Sequence, residues 1–107
     1  MSDVGPSYAP KLVKQLASGS ATFEMTQAAL DDALGFGLDD EDVREIFQHI
    51  DEFNFLKSEP TRHKYPGTQS DYYLHYVEEC RTRMFIKFVI HQGVLIVTSF
   101  KEDDYGN

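Results

Sequence analysis

The sequence predicts an α+β domain, in which a small twisted antiparallel sheet carries two to three N-terminal helices on one face. Two observations favour this class. Apolar residues recur at helical spacing over residues 1–52, and with the period of two typical of strands from residue 53 onward. The 107 residues, 41% of them hydrophobic, suffice for one packed domain. We therefore expect a single domain over 1–107, mainly helical in 1–52, with the sheet in 53–101 and an acidic tail at 102–107.

The first two helices are predicted from the residues at their ends. Pro10 suits the first turn of a helix, and Gly19 is a residue at which that helix can end. Thr26 is a favourable N-cap for a second helix over residues 27–34, which ends at the Gly-Phe-Gly break of residues 35–37.

The third helix has the clearest pattern. Asp39 is its predicted N-cap, and the core-facing positions that follow are Val43, Ile46, Phe47 and Ile50. The acidic run 39–42 then complements the positive end of the helix dipole. A calcium loop is the functional alternative, but the run lacks the alternating acids and the central glycine of such loops.

Four strands are predicted in the second half. They cover residues 53–58, 72–77, 83–91 and 94–101. A polar, proline-containing loop joins the first two, and a tight turn at Gln92-Gly93 joins the last two.

Strand alternation predicts which side chains share a face of the sheet. One side of the third strand is wholly apolar and must face the core: Met84, Ile86, Phe88 and Ile90. In the last strand, strict alternation groups Lys101, Ser99, Val97 and Leu95 on one side. Arg83, Lys87 and Lys101 then lie on one exposed face opposite the helices. Lysines on a sheet surface are most often simply solvated, so alternation alone assigns them no function.

The acidic composition argues at first against a polyanionic partner, because phosphate binding needs lysine and arginine. The net charge is −8. It divides unevenly, however: residues 1–52 carry 11 acidic against 3 basic residues, whereas residues 53–101 carry 4 against 7. The predicted sheet is therefore net positive by 3, and an RNA substrate is not excluded.

The sequence shows no secretory signal and no apolar run of the roughly 20 residues that span a bilayer. Cys80 is the single cysteine. We therefore expect a cytoplasmic protein with no internal disulfide and no membrane association.

The residue types restrict the possible chemistry. The sequence has no glycine-rich phosphate loop, no serine nucleophile elbow and no histidine spacing typical of a metal site. Any catalysis must then use Lys, Arg, Tyr, Gln and His without a metal or a cofactor. RNA cleavage fits this restriction, because the 2′-hydroxyl of RNA is itself the nucleophile and the protein needs to supply only a base, an acid and cations.

Four segments resemble, in order, the motifs of the MqsR toxins, the ribonuclease halves of bacterial type II toxin–antitoxin pairs. These are residues 53–58 (FNFLKS), 71–73 (DYY), 85–88 (FIKF) and 97–102 (VTSFKE). The resemblance extends from about residue 10 to residue 102. It implies a RelE-like fold, cleavage of single-stranded mRNA without a metal or a small-molecule cofactor, and a cognate antitoxin as partner.

The resemblance also assigns catalytic positions. Lys57 and Lys101 match the two active-site lysines of the family. Gln69 matches the active-site glutamine, although its spacing to Asp71 is one residue longer than in the pattern, so Ser70 is an alternative at that place.

The usual family tyrosine is replaced by Phe85, which can stack on a base but cannot move a proton. Tyr72 and Tyr73 point to opposite faces of their strand, so one of them faces the site, and we assign the catalytic role to Tyr73. Phe85, Lys87 and Arg83 are the predicted substrate-binding residues.

Three functions remain open from the sequence. The first is a ribonuclease toxin. The second is a catalytically altered or inactive relative that binds RNA or a protein. The third is an acidic nucleic-acid mimic, which the helix caps make less favourable. A partner antitoxin can complement either the acidic helices or the lysine-bearing face.

Overall fold

The computed structural model describes residues 5–61 and 64–103 and confirms the α+β class. Within these residues, three helices cover one face of a five-stranded sheet. The helices are α1 (Pro10–Ala17), α2 (Gln27–Gly35) and α3 (Asp40–Phe47). The strands are β1 (Phe23–Met25), β2 (Phe55–Pro60), β3 (Gln69–Val77), β4 (Thr82–His91) and β5 (Val94–Glu102). Their order across the sheet is β1-β5-β4-β3-β2.

The sheet is mixed, which corrects the prediction that it is wholly antiparallel. β1 lies parallel to β5, with Phe23 opposite Leu95 and Met25 opposite Val97. A strand of three residues is too short to show a period of two. The sequence therefore gives no signal for β1 within residues 1–52, the half predicted to be mainly helical.

The predicted N-caps of α2 and α3 are confirmed, whereas α1 ends at Ala17, two residues before Gly19. The Thr26 side chain accepts a hydrogen bond from the backbone N–H of Ala29 at 3.2 Å. Asp39 and Asp42 form a reciprocal capping box at the start of α3, and the hydrogen bond from the Asp42 backbone lowers the pKa of Asp39. α2 ends at Gly35, and the turn that follows contains Gly37, whose φ of +79° is accessible to glycine at little cost. The acidic run 39–42 is thus a helix cap.

The core lies between the helices and one face of the sheet. Phe47 of α3 is its centre, with its ring packed edge-to-face against Phe23 at 5.8 Å and Phe88 at 5.3 Å. Among the described residues, no helix is long and apolar enough to cross a membrane.

A β-bulge in β2 turns Lys57 to the face opposite the core. Phe55 pairs with Tyr73, but Lys57 pairs with the preceding residue of β3, Tyr72, so Leu56 is an extra residue in its strand. Strict alternation along the predicted strand 53–58 would put Phe55 and Lys57 on one face, and the bulge separates them. Phe55 packs against the core, and Lys57 is exposed on the other side.

A second bulge, in β5, turns Lys101 to the same open face as Lys57. Lys87 pairs with Ser99 and Phe88 pairs with Val97, which leaves Thr98 as the extra residue. Val97 is completely buried in the core, as are Leu95 and Phe100. The grouping of Val97 and Leu95 with Lys101 is thus wrong, because strict alternation fails at Thr98.

The two-residue turn between β4 and β5 is confirmed at Gln92 and Gly93. Both have positive φ, 52° and 78°, as in the turns that join antiparallel strands most tightly. The predicted acidic tail is corrected in its first part. Glu102 ends β5, and Asp103 is buried and donates its backbone N–H to the Arg83 carbonyl at 3.0 Å. Residues 104–107 lie outside the described residues.

Candidate functional site

Four side chains form a row across the open face of the sheet, the face that carries no helices. Lys57 of β2 pairs with Tyr72 of β3, Tyr72 pairs with Lys87 of β4, and Lys87 pairs with Ser99 of β5. Residues directly opposite one another in antiparallel strands point to the same side. The register therefore brings together two lysines that lie 30 positions apart in the sequence.

A second row lies one step along the strands. It consists of Leu74, Phe85 and Lys101. The Phe85 ring is half-buried and meets the Tyr72 ring edge-to-face at 5.4 Å, which joins the two rows. We call these two rows, with Glu59, the lysine face. It contains the predicted site residues Lys57, Lys87, Lys101 and Phe85.

Tyr72 holds the lysines of the first row apart. The Lys57 ammonium lies 4.8 Å from the centre of the Tyr72 ring, and the Lys87 ammonium lies 5.4 Å from it. Both distances are within the range of cation–π attraction. The aromatic ring therefore fixes two cations at a defined separation.

Glu59 completes this arrangement. Its carboxylate accepts hydrogen bonds from the Tyr72 hydroxyl at 3.1 Å and from the Lys57 ammonium at 2.9 Å. Sequence reasoning missed Glu59, although it lies two residues after Lys57 in the same strand and so shares its face. Its carboxylate is the only acid hydrogen-bonded to these two residues within the described part of the chain.

The structure does not bring Tyr73 to the lysine face, so the expectation that this tyrosine faces the site is wrong. Tyr73 points into the core, where its ring stacks on Phe88 at 5.8 Å and meets Phe55 at 5.6 Å. Burial, with the negative charges of Asp71 and Glu52, raises the pKa of Tyr73 far above its ordinary value. The open alternative, Tyr72, is the tyrosine beside the lysines.

Gln69 also lies on the other side of its strand. It shares the parity of Asp71, whose buried carboxylate accepts hydrogen bonds from the backbone N–H groups of Ser7 and Tyr8, each at 3.1 Å. Ser70 has the parity of Tyr72 and faces the same side as Lys87. The alternative that Ser70 takes the place of the glutamine therefore agrees with the register, and Gln69 does not.

Arg83 has the parity of Lys87, but its guanidinium is bound at the end of the sheet. It forms an ion pair with Asp103 at 2.7 Å, and the Asp103 side chain is only 2% exposed. The charge of Arg83 is thus offset by a buried carboxylate, and the arginine fastens the end of β5 to β4. Arg83 therefore has the predicted parity, but its charge is paired with Asp103.

A pocket of about 360 Å³ opens beside the lysine face. Lys87 and Tyr72 form one of its walls, and the segment between β2 and β3 forms another, through Thr61, Lys64 and Tyr65. This volume is near the lower end of the range for small-molecule sites, about 300–1,000 Å³. The sequence predicts a polar loop for this segment and gives no sign of a cavity.

The lysine face can perform two tasks. Its three ammonium groups, of which that of Lys57 is paired with Glu59, can stabilise the charge of a phosphate and of a pentacovalent phosphorus. Tyr72 and Glu59 add groups that exchange protons within hydrogen-bond distance of one another.

Residues 5–102 match the family model described as "Motility quorum-sensing regulator, toxin of MqsA". No individual curated protein matches the sequence. The matched segment covers nearly the whole chain and includes both rows of the lysine face.

Proposed function

This chain belongs to the MqsR toxin family and is the toxin of a toxin–antitoxin system, and on that premise we propose that it is an endoribonuclease that cleaves single-stranded mRNA. One observation carries the proposal. Lys57, Lys87 and Lys101, which come from three different strands, lie on the open face of the sheet in the two rows that contain Tyr72 and Phe85. Cations beside aromatic rings on an open sheet suit the backbone and the bases of single-stranded RNA.

The proposed reaction uses the RNA itself as the nucleophile. The 2′-oxygen attacks the adjacent phosphorus, a 2′,3′-cyclic phosphate forms, and the bond from phosphorus to the 5′-oxygen of the next nucleotide breaks. The lysines stabilise the charge that develops on the phosphoryl oxygens. We propose that this reaction needs no metal ion, because three ammonium groups supply the positive charge there.

Two protons must move in this reaction, and Phe85 can move neither. Tyr72 and Glu59 are the groups we propose for this work. The carboxylate of Glu59 is suited to take the proton of the 2′-hydroxyl, and the Tyr72 hydroxyl is suited to give one to the leaving 5′-oxygen. Phe85 remains an apolar surface on which a base can stack.

The partner of the toxin is a cognate antitoxin, as the family indicates. An antitoxin that inhibits by covering the lysine face would need an acidic segment, because the face presents three ammonium groups. We propose that both proteins act in the cytoplasm, where mRNA is available.

The first prediction tests the lysines. The wild-type protein should cleave a single-stranded RNA in the presence of EDTA, and Lys101→Ala should lower kcat about 10²- to 10³-fold, as expected for loss of one group that stabilises transition-state charge. Gel analysis of a labelled RNA measures the rate and shows whether the products end in a cyclic phosphate.

Lys11→Ala is the matched control, because it removes the same charge from an exposed position on α1. It should cleave at the wild-type rate. Equal rates for Lys101→Ala and the wild type would contradict the proposal, as would intact RNA with the folded wild-type protein.

The presence of Phe85 favours one alternative, a toxin-fold protein that binds RNA or a protein without cutting. Induced expression in bacteria without the antitoxin distinguishes the two. Growth arrest that Lys57→Ala relieves supports the enzyme, whereas normal growth at a comparable protein level supports the binding module.

A further inference from the structure

We propose that the pocket beside Lys87 binds one unpaired nucleobase and thereby sets the sequence preference of RNA cleavage. The inference rests on the proposed ribonuclease function. Its support is a pocket whose walls combine cations, an aromatic ring and hydroxyl groups: Thr61, Lys64, Tyr65, Ser70, Lys87 and Thr98.

The position of the pocket restricts which base can enter it. Lys87 belongs both to the pocket wall and to the row of the lysine face. A phosphate held by Lys87 is therefore at the mouth of the pocket, and a nucleotide's base is only one sugar away from its phosphates. The base in the pocket must then belong to one of the two nucleotides joined by the bond that breaks.

The charge of the pocket also suits a nucleotide. Among the residues that the structure describes, its lining contains Lys64 and Lys87 and no acidic residue, although the whole protein has a net charge of −8. A second cleft of about 460 Å³ shows the contrast, because it is lined by Glu45, Glu78 and Glu79. That cleft repels a phosphate-bearing ligand, and the pocket beside Lys87 attracts one.

The hydroxyl groups can recognise the edge of a base. Thr61 and Ser70 form a hydroxyl pair at 2.9 Å in which Thr61 also accepts from the Thr68 hydroxyl, and the Thr98 hydroxyl donates to the Lys87 carbonyl at a long 3.4 Å. A hydroxyl can donate and accept, so each can rotate to match the polar atoms of one base. Thr98 is the extra residue of the β5 bulge, and the bulge is what brings its side chain to the pocket.

Tyr65 supplies the stacking surface. The ring of Tyr72 is flanked by the ammonium groups of Lys57 and Lys87, whereas the half-buried ring of Tyr65 lies 5.1 Å from His91 at the side of the pocket. Its backbone is held at φ 60° by hydrogen bonds that Thr68 donates to the Tyr65 carbonyl, the shorter one at 2.7 Å. A stacked base typically adds about 1–3 kcal/mol to binding.

The test uses a single-stranded RNA pool with a randomised segment, cleaved by the full-length protein and sequenced at the cut ends. Thr98→Val removes one hydroxyl at nearly constant shape. It should weaken the base preference at one of the two nucleotides flanking the cut by roughly tenfold, since loss of a single hydrogen bond has this order of effect. Thr82→Val is the matched control at a strand position outside the pocket, and its preference should equal that of the wild type.

Binding provides a second readout that does not depend on cleavage. The four nucleoside 5′-monophosphates are titrated into the wild-type protein, with amide shifts followed by NMR at Thr61, Lys64, Tyr65 and Thr98. One nucleotide should produce saturable shifts there, and Tyr65→Ala should weaken its binding about tenfold.

The outcomes separate the two proposals. If the wild type cleaves RNA and its base preference is unchanged in Thr98→Val and Ser70→Ala, the pocket proposal is overturned and the ribonuclease stands. If the wild type cleaves nothing but a nucleotide binds at these residues, the ribonuclease fails and the base site stands. Absence of any nucleotide-dependent shift at these residues overturns the base site.

Discussion

Two tyrosines that are adjacent in the sequence, Tyr72 and Tyr73, have different environments in this protein. Tyr72 lies between two lysines and donates a hydrogen bond to Glu59, whereas Tyr73 is buried in the core. The hydroxyl of Tyr73 has no hydrogen-bond partner within the described residues. The same functional group is therefore hydrogen-bonded in one position and buried without a partner among the described residues in the next.

We predict opposite effects for the two tyrosine-to-phenylalanine substitutions. Tyr72→Phe keeps the ring between the lysines and removes the proposed proton donor, so cleavage should fall about 10²- to 10⁴-fold with little change in stability. Tyr73→Phe removes an unsatisfied buried hydroxyl, so the free energy of unfolding should rise by about 1–2 kcal/mol with cleavage unchanged.

Chemical denaturation and RNA cleavage rates measure both effects, and each variant is the control for the other. Loss of cleavage in a fully folded Tyr73→Phe protein would restore Tyr73 as the catalytic tyrosine and contradict the assignment to Tyr72.

The secondary-structure elements build the lysine face through two irregularities. Each bulge contains one extra residue, Leu56 in β2 and Thr98 in β5. Each bulge reverses the alternation of its strand. In β2, Phe55 faces the core and Lys57 faces the open side, and in β5, Val97 faces the core and Lys101 faces the open side. The bulges allow a short strand to place large apolar groups in the core and still expose the lysine.

Because Thr98 is the extra residue of the bulge in β5, its deletion should leave the other residue pairs between β4 and β5 unchanged. Without it, Val97 still faces the core opposite Phe88 and Ser99 still lies opposite Lys87, so the fold and the position of Lys101 should persist. We expect an unfolding free energy within about 1 kcal/mol of the wild type.

Deletion of Ile96 is the matched control. It also shortens β5 by one residue, but a regular ladder then forces Thr98 into the core and turns Val97 to the open face, at a cost of about 2–4 kcal/mol. Thermal unfolding and amide exchange compare the two deletions. Equal destabilisation would show that Thr98 is not the residue that absorbs the register shift.

The whole molecule separates its charges between two layers. The acids of residues 1–52 lie mainly on the helices, and the lysine face is on the opposite side of the sheet. Long-range repulsion from the helical layer opposes the approach of RNA, while the lysines attract it at short range. The repulsion acts over the Debye length, which is about 30 Å at 0.01 M salt and about 8 Å at physiological ionic strength.

We predict that neutralising the helical layer increases the association rate with RNA only at low ionic strength. The double variant Asp32→Asn, Glu41→Gln changes two exposed residues of α2 and α3. It should bind a non-cleavable 2′-O-methyl RNA on the order of a few-fold faster at 0.01 M salt. Stopped-flow fluorescence measures the rate, and the difference should disappear at 0.15 M. A difference that persists at 0.15 M would mean that the variant acts locally and not through the long-range field.

The sequence by itself determined the three helices and their caps, four of the strands, the turn at Gln92 and Gly93, and the division of charge. These follow from local spacing, because caps, turns and periodicities involve residues within a few positions of each other. It also brought Lys57, Lys87 and Lys101 forward as site residues, and the register places all three on the open face.

Only the tertiary structure decided which neighbours those lysines have. The three residues of β1 form a strand because they pair with β5. Asp103 forms an ion pair because Arg83 of β4 lies beside it. The bulges at Leu56 and Thr98 changed which residues share a face, and the register puts Tyr72 and Ser70 on the open face and Tyr73 and Gln69 on the other. The physical reason is that alternation fixes relative orientation only along an unbroken strand. One extra residue reverses it, and its position depends on packing between strands that are distant in the sequence.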